Sequence, residues 1–557
     1  MDLEPGKSAS APESSKSSSS THRPSTAASC FSPTDGSTKD KPISTQDLER
    51  DADGRGSPRP QPLETVPPSI SIEDAEKAPG TTAAGFRCQE DPNLVEWSGE
   101  SDPENPMNWS LARKWYTTMM LSMLTFCITF SSSIFSQATQ VAADEFGVST
   151  TVTTLATSFV VLGFGLGPLL WGPLSELYGR SRPLLFGFAL GAVFQIPVAV
   201  AQNIQTVLIC RFLVGLFGCS PVAIVGGALS DIWDPLNRGI AGASFAGATF
   251  LGPIAGPIAG GFLVHSRLGW RWTAWVTLIL QAVLGVVSVF TIQESFAPVV
   301  LQRRAKRLRR ETQNWALYSA LDKEKPTISG IVTKYLSRPM RMMLSEPILV
   351  LVTLYLALVY GILYLFFFTY PISFREVRGW QHPGVAALPF LGLFAGIFLG
   401  CLYVIVLTKT FFARNFHKRG TIVPEERLIA MFPAAIILPA GLFWFAWTSN
   451  PGITWVPQAI AGVPIGAGII IIFLQGINYI VDVYLMYANS ALASNTFVRG
   501  MAAATFPLFA AKMFHSLGVD WATSVLGFIS TAMAPIPFLF YRFGAKIRAR
   551  SRFNPEA

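Results

Sequence analysis

The sequence predicts an all-α membrane protein of twelve transmembrane helices arranged as two six-helix bundles. The 557-residue chain is 50% hydrophobic and only 14% charged, whereas soluble domains carry about 25% charged residues. Beyond residue 110 the chain is an almost unbroken series of apolar stretches. Most of them reach the roughly 20 residues that a helix needs to cross a bilayer.

Stretches such as 345–371 are apolar on every side of a helix. A helix on the surface of a soluble protein keeps one polar face, so this pattern excludes a soluble helical array. We predict membrane helices at 115–137, 151–174, 182–200, 206–230, 239–264, 271–292, 345–371, 383–408, 427–448, 455–482, 488–514 and 520–542.

The segments outside these helices are polar. Residues 1–110 are rich in Ser, Pro, Thr and charge, and such a segment cannot bury enough apolar surface to offset its ordering entropy. We therefore predict a disordered tail at 1–110, a first bundle at 111–292, a central loop at 293–344, a second bundle at 345–543 and a second tail at 544–557.

Basic residues cluster on one side of the predicted helices. Arg180, Arg238, the run QRRAKRLRR at 302–310 and the C-terminal segment all fall there. Lys and Arg in short loops mark the cytoplasmic side, so both termini are predicted to be cytoplasmic. The same rule explains the net charge of +8 without nucleic acid. The basic run is either a helix on the anionic inner leaflet or a solvated loop.

Several classes of chemistry are not indicated. The six cysteines form no CxxC pair, the histidines are scattered, and no GxxxxGK[ST] loop for ATP is present. The sequence therefore predicts no enzyme, no catalytic residues, no metal and no cofactor.

A tight turn with charged residues follows the second predicted helix, in GPLSELYGRSRP at 172–183. Its glycines permit the close turn, and Glu176 and Arg180 lie beside it. Charges here can pair across helix ends and close one side of the protein, where Asp231 at the end of the fourth helix also falls. An ordinary short basic loop is the alternative.

Single charges lie inside two predicted helices. Arg211 is about 8 Å inside the fourth helix, at about 1.5 Å per residue. A charged side chain in lipid costs at least about 2.5 kcal/mol, so we expect Arg211 to face the protein interior. A side chain that reaches up to the interface is the alternative. Arg499 and Lys512 add charges to the eleventh helix, and the sequence identifies no partners for them.

The fifth predicted helix contains the most specific pattern, GPIAGPIAGG at 252–261. Glycines four residues apart share one face and allow a neighbouring helix to approach closely. Prolines remove backbone donors and bend the helix. We predict that this face is a smooth joint on which the two bundles pivot. Ordinary glycine-rich packing is the alternative. The residues of the predicted joint are Gly252, Pro253, Gly256, Pro257, Gly260 and Gly261.

Aromatic and amide side chains are predicted to line a central cavity for bulky ligands. Simple packing is the alternative for each residue, because most aromatics in membrane helices pack or anchor at interfaces. The candidates are Gln137, Phe245, Tyr360, Tyr364, Gln475 and Asn478.

In this order, GPLSELYGRSRP, the Arg211 segment and GPIAGPIAGG resemble the major facilitator superfamily, in particular its fungal twelve-spanner drug:proton antiporter branch. DPENPMNWSLARKW (102–115), PEERL (424–428) and NYIVDVYLMYANSALASNTFVRG (478–500) extend the resemblance over about 100–545. The resemblance implies the major facilitator fold and proton-driven export of hydrophobic or cationic compounds, such as drugs, toxins or secondary metabolites, by alternating access.

The resemblance also implies roles for residues. Glu176 and Arg180 match a cytoplasmic gate, Arg211 matches an arginine linked to proton coupling, and the fifth helix matches an antiporter motif. Leu177 and Ser181 stand where basic residues are common, and Glu176 stands where Asp is usual.

We expect a small-molecule substrate, protons and the lipid bilayer as partners, and a monomer in the plasma membrane, with the vacuolar membrane as alternative. A proton-coupled nutrient importer and a non-transporting receptor remain alternative functions.

Overall fold

The computed structural model describes residues 91–323, 330, 333–420, 423–549, 551 and 553. Eleven helical runs in these residues are long and apolar enough to cross a membrane, and one of them, Ala488–Arg548, has 61 residues. Such a run would be about 90 Å long, three times the thickness of the hydrocarbon core. Gly518 divides it, because its backbone (φ 78°, ψ 162°) is not helical. Counted this way, the described residues form twelve membrane helices.

The predicted all-α membrane fold is confirmed. Polar side chains set several helix starts: those of Ser110, Asn203 and Asp234 each accept a bond from the backbone N–H three residues on. The helices of the first half are α1 Leu111–Ser133, α2 Thr150–Tyr178, α3 Ser181–Ala199, α4 Ile204–Ile232, α5 Pro235–Val264 and α6 Trp272–Thr291. Those of the second half are α7 Pro347–Pro371, α8 Phe390–Leu407, α9 Met431–Trp447, α10 Trp455–Tyr484, α11 (488–517) and α12 (519–548).

The two halves repeat one packing scheme. In the first half α1 packs against α5 and α2 against α4; in the second, α7 packs against α11 and α8 against α10. Between the halves, α2 packs against α11 and α5 against α8. The repeat relates each helix to the one six places later, so that α2 corresponds to α8 and α11 to α5. The α2–α11 contact therefore corresponds to the α8–α5 contact, and the halves are joined by two equivalent contact lines. A site between the halves is therefore bounded by both.

We call the end of the bundle where α1 begins and α12 ends the base, and the opposite end the top. At the base, the amphipathic helix Ala297–Thr312 carries the basic run of the central loop. Its arginines pair with carboxylates: Arg304 with Asp102 at 2.5 Å, Arg307 with Glu104 at 2.5 Å and Arg309 with Asp322 at 2.9 Å.

Residues 91–110, just before α1, contact the central loop. A two-residue β-bridge between Leu94 and Tyr318 and the carboxylates of Asp102 and Glu104 attach these residues to the loop. The sequence showed the carboxylates but not their arginine partners about 200 residues later. The rest of the predicted tail, residues 1–90, lies outside the described residues.

Candidate functional site

Arg180 organises the base of the first half. Its Nε donates to Asp231 Oδ2 at 2.9 Å and its Nη1 to Ser175 Oγ at 3.0 Å. Its guanidinium also lies 4.6 Å from the centre of the Phe296 ring. The turn after α2, the end of α4 and the segment after α6 are thereby joined. The structure brings together Arg180 and Asp231, two of the predicted gate residues, as an ion pair that the sequence did not predict.

Glu294, which the sequence did not single out, completes this cluster. Its carboxylate accepts the backbone N–H of Arg180 at 2.7 Å and the Ser181 hydroxyl at 2.9 Å. Gly179 adopts a left-handed φ of 91°, and a Cβ there would lie 2.3 Å from Glu294 Oε2. The turn therefore needs glycine both for its backbone and for the space that Glu294 occupies.

Glu176 makes a different contact from the other gate residues. Asn489 Nδ2 at the start of α11 donates to Glu176 Oε1 at 2.8 Å. This bond crosses from the first half to the second at the base. The predicted gate therefore consists of an ion pair inside one half and a hydrogen bond between the halves.

The second half has its own version of the ion pair. Arg427 Nε donates to Asp482 Oδ2 at 2.8 Å, joining the segment before α9 to the end of α10. Glu425 pairs with Arg548 at the end of α12 at 3.2 Å. Arg427 and Asp482 occupy the positions of Arg180 and Asp231 in the repeat.

Arg211 lies inside the first half with its side chain satisfied by backbone. The residue is 1% exposed; Nε donates to the Ala156 carbonyl at 2.9 Å, and Nη2 lies 3.3 Å from the carbonyls of Ser131 and Ser132. The last carbonyls of a helix lack intrahelical partners, and α1 ends at Ser133. Arg211 therefore faces the protein interior and ties the end of α1 to α2 and α4.

The glycines of α5 do not lie where the sequence placed them. A Cβ on Gly252, Gly256 or Gly260 would lie 2.2, 2.1 or 2.3 Å from an atom of α1 or of the turn that follows it. Both helices belong to the first half, so this face is an internal contact and not a joint between the bundles. The prediction of close helix approach is right, but its partner is wrong, because periodicity identifies a face and not the neighbour.

The rest of the α5 motif has two different environments. Gly261 faces the other half, where a Cβ would lie 3.0 Å from the Cα of Gly384. Pro253 and Pro257 are buried within a helix that continues through both.

Another pair of glycines lies at the contact between α2 and α11, one of the two contact lines between the halves. A Cβ on Gly500 of α11 would lie 2.5 Å from the Cα of Gly165 of α2. The two backbones therefore approach as closely as helices can, which only glycine allows. The sequence signal was present in FVRG and GFGLG, but nothing in it pairs two helices about 335 residues apart.

An aromatic cluster fills the space between the halves. The rings of Phe250 (α5) and Phe473 (α10) lie 4.6 Å apart between centres, Phe250 and Tyr360 (α7) lie 5.7 Å apart, and Tyr360 and Tyr364 lie 5.2 Å apart. The Tyr364 hydroxyl is 3.0 Å from the Ser132 hydroxyl of α1. Both halves therefore contribute to the cluster.

Arg499 of α11 lies against these rings. Its guanidinium carbon is 4.7 Å from the ring centres of both Tyr360 and Phe473. The residue is 6% exposed, and its Nε and Nη1 are buried without a hydrogen-bond partner among the described residues. The sequence shows the charge of Arg499, but it does not indicate that this side chain lies against aromatic rings of α7 and α10.

The cluster lies at mid-depth. At about 1.5 Å per residue, Phe250 is about 22 Å from either end of α5, and Tyr360 is about 17 Å from the C-terminal end of α7. We call Phe250, Tyr360, Tyr364, Phe473 and Arg499 the central cluster.

The other predicted cavity residues have different surroundings. Gln475 is fully buried and neither side-chain atom has a partner among the described residues; the Nε2 of Gln137 is in the same situation. Phe245 packs instead with the apolar core of the first half, and Asn478 is half-buried on α10. The structure therefore brings Tyr360 and Tyr364 together and separates Phe245 from them.

Twelve membrane helices in two repeated halves, with a polar and aromatic cluster between them at mid-depth, define a transporter of small molecules. The family model described as the Major Facilitator Superfamily matches residues 121–534, and the chain belongs to that family. It is accordingly a transporter and not an enzyme, as the sequence predicts.

Curated relatives cover most of the chain. The transporter of the citrinin biosynthesis cluster of Monascus ruber is 57% identical over 83% of this chain and 93% of its own. The transporter of the ascochitine biosynthesis cluster of Didymella fabae is 51% identical over 88% of this chain and 94% of its own. The cercosporin transporter of Cercospora nicotianae is 44% identical over 83% of this chain and 90% of its own.

Among solved structures, the proton:xylose symporter XylE matches with a TM-score of 0.55 at 14% identity. The match covers 79% of this chain and 96% of XylE. At this identity the likeness supports the fold.

Proposed function

We propose that this protein exports small hydrophobic organic compounds, such as toxins or other secondary metabolites, by proton antiport with alternating access. The observation that carries the proposal is the central cluster, in which both halves contribute side chains at mid-depth. Transporters of this architecture bind substrate near the membrane midplane, between their repeats. Relatives named for citrinin, ascochitine and cercosporin support a metabolite as cargo.

Alternating access requires contacts between the halves that can open at one end at a time. The Glu176–Asn489 bond is such a contact at the base, and Gly261 against Gly384 is one at the top. A hydrogen bond and a glycine contact hold few atoms together, so each can separate at a small cost in free energy. We propose that Glu176, Arg180 and Asp231 form the gate at the base.

Orientation and coupling complete the proposal. The basic residues at the base favour a cytoplasmic base with both termini on that side, and we propose the plasma membrane as the location. Arg211 remains charged at any physiological pH, so it organises the ends of α1, α2 and α4 while a proton moves elsewhere. We propose that the protein works as a monomer.

The test is transport of citrinin, chosen because of the relative in Monascus ruber. The full chain is expressed in a yeast lacking its own drug pumps, and intracellular citrinin is measured with and without a protonophore. We expect lower accumulation than in cells carrying the Gly500→Leu variant, whose side chain blocks the contact with Gly165. We also expect the protonophore to abolish the difference.

Two outcomes would contradict parts of the proposal. Faster citrinin uptake than in the Gly500→Leu cells would indicate an importer. Efflux that persists with the gradient dissipated would remove proton coupling. A surface-expression assay measures whether the Gly500→Leu variant and the wild type reach the membrane in equal amounts.

A further inference from the structure

We propose that the substrate is an organic anion, a planar aromatic acid whose carboxylate or ionised phenol binds Arg499 in the central cluster. The inference rests on the proposed transport function and narrows its substrate class. It departs from the cationic compounds that the family resemblance implies.

The two buried arginines differ in the partners of their N–H donors. Arg211 directs its donors at three backbone carbonyls. Arg499 is buried to a similar degree, yet its Nε and Nη1 have no acceptor among the described residues. Buried donors of a charged group are costly to leave unpaired. A site that keeps such a group between its two moving halves gains most when a ligand supplies the acceptor.

The carboxylates of the membrane helices lie far from Arg499. Within α1–α12 the described sequence contains four carboxylates, Glu176, Asp231, Asp482 and Asp520, each within two residues of a helix end. None can neutralise Arg499 at mid-depth. The centre of the protein is therefore positive, which attracts an anion and repels a cation.

The rings around Arg499 favour a flat ligand. The rings of Tyr360 and Phe473 are 27° from parallel, and Arg499 lies over both. Aromatic rings bind planar aromatic ligands by offset or edge-to-face packing. A guanidinium donates charge-assisted N–H bonds to a carboxylate or an ionised phenol. A flat ligand with an acidic group therefore uses both parts of the cluster.

Three anthracene probes of one size separate charge from apolar packing. They are anthracene-9-carboxylate, the neutral 9-anthracenemethanol and the cationic 9-(aminomethyl)anthracene. Binding of each to the purified full chain in lipid nanodiscs is followed by probe fluorescence at pH 7. We expect the carboxylate to bind about tenfold more tightly than the alcohol, and the amine to bind most weakly.

Variants then assign the preference to one side chain. Arg499→Gln is expected to weaken the carboxylate about tenfold while changing the alcohol less than about threefold. Arg499→Lys keeps the charge without the planar fork and should restore part of the loss. Lys512→Gln removes an exposed charge from the same helix and should change neither probe.

The inference is overturned if the wild type binds the amine as tightly as the carboxylate, or if Arg499→Gln leaves the ratio of carboxylate to alcohol unchanged. Should Arg499→Gln fail to fold, the wild type still decides. Lowering the pH through the pKa of the probe's own carboxyl must weaken that probe and leave the alcohol unaffected. Export without a preference for the acid removes only this inference, whereas Arg499-dependent binding without export removes only the proposed transport.

Discussion

The α1–α5 contact of the first half and the α7–α11 contact of the second are equivalent in the repeat but are filled differently. On α5, Gly252, Gly256 and Gly260 bring the helix against α1 and the turn after it. Between α7 and α11, Gly361 faces the ring of Phe506, and Asn495 Nδ2 donates to Thr353 Oγ1 at 3.1 Å. The first contact is smooth and backbone-based, whereas the second is built from side chains.

The two ion pairs at the base also differ between the halves, in the exposure of their side chains. The side chains of Arg180 and Asp231 are 11% and 16% exposed, whereas those of Arg427 and Asp482 are 8% and 5% exposed. Beside the first pair, Glu176 reaches across to the second half. One repeated pair therefore has two environments: the pair of the second half is the more deeply buried, and the pair of the first half lies beside a hydrogen bond between the halves. We propose that the first pair belongs to the gate and that the second holds its half together.

The largest expected effect comes from breaking the buried pair. Asp482→Asn leaves Arg427 charged and buried, and removing one partner of a buried ion pair costs about 3–5 kcal/mol. Asp231→Asn should cost only about 1–2 kcal/mol, because Arg180 keeps Ser175 and is more accessible to water. Thermal unfolding of the purified variants measures both.

The control is Glu311→Gln, since that exposed carboxylate makes only a 3.9 Å contact with Arg307. It should leave unfolding unchanged. In transport the order should reverse relative to stability: among molecules that remain folded, Asp231→Asn should reduce efflux more than Asp482→Asn. Equal losses of stability from both variants would mean that the two pairs are not specialised.

A smaller effect distinguishes the two helix contacts. Gly260→Ala places a methyl group 2.3 Å from the backbone oxygen of Ile134, which cannot move aside without moving the chain. Gly361→Ala meets the ring of Phe506 at 2.5 Å, and that side chain can rotate. We expect losses of about 3 and about 1 kcal/mol in unfolding free energy.

Gly242→Ala, on α5 but with no atom within 4 Å of the added methyl, is the matched control. It should unfold like the wild type. If Gly361→Ala proved as damaging as Gly260→Ala, the α7–α11 contact would be as rigid as α1–α5, and the proposed division between the halves would not hold.

Helix number and fold class followed from the sequence because apolar length alone determines what crosses a bilayer. Arg211 could likewise be placed inside the protein from the cost of a charge in lipid. The α5 glycines were identified as a close-packing face, but the structure gives that face to α1. A period of four residues specifies which side of a helix is smooth and contains no information on which helix lies there.

The composition of the central cluster could be predicted even less from the sequence, because its members lie on four helices. Its members come from α5, α7, α10 and α11, spread from Phe250 to Arg499, and each reads in isolation as ordinary packing or as an unexplained charge. Glu294 is similar, because its partners include backbone N–H groups 113 and 114 residues earlier, and a backbone group leaves no mark in a sequence. Local chemistry was therefore predictable, and long-range pairing was not.

The smallest expected effect concerns the contact between the segment before α1 and the central loop. Arg304, together with the backbone N–H groups of Ser98 and Glu104, lowers the pKa of Asp102 from 3.8 to about 2. The contact is therefore intact above the unfolded pKa near 3.9 and is lost as the pH falls through about 2. Peptic cleavage before α1 should be slow at pH 4 and faster at pH 2, and Asp102→Asn should already be cleaved rapidly at pH 4. Glu100→Gln, an exposed neighbour, should behave like the wild type. Cleavage of Asp102→Asn at the wild-type rate would show that this ion pair does not hold the segment before α1 against the central loop.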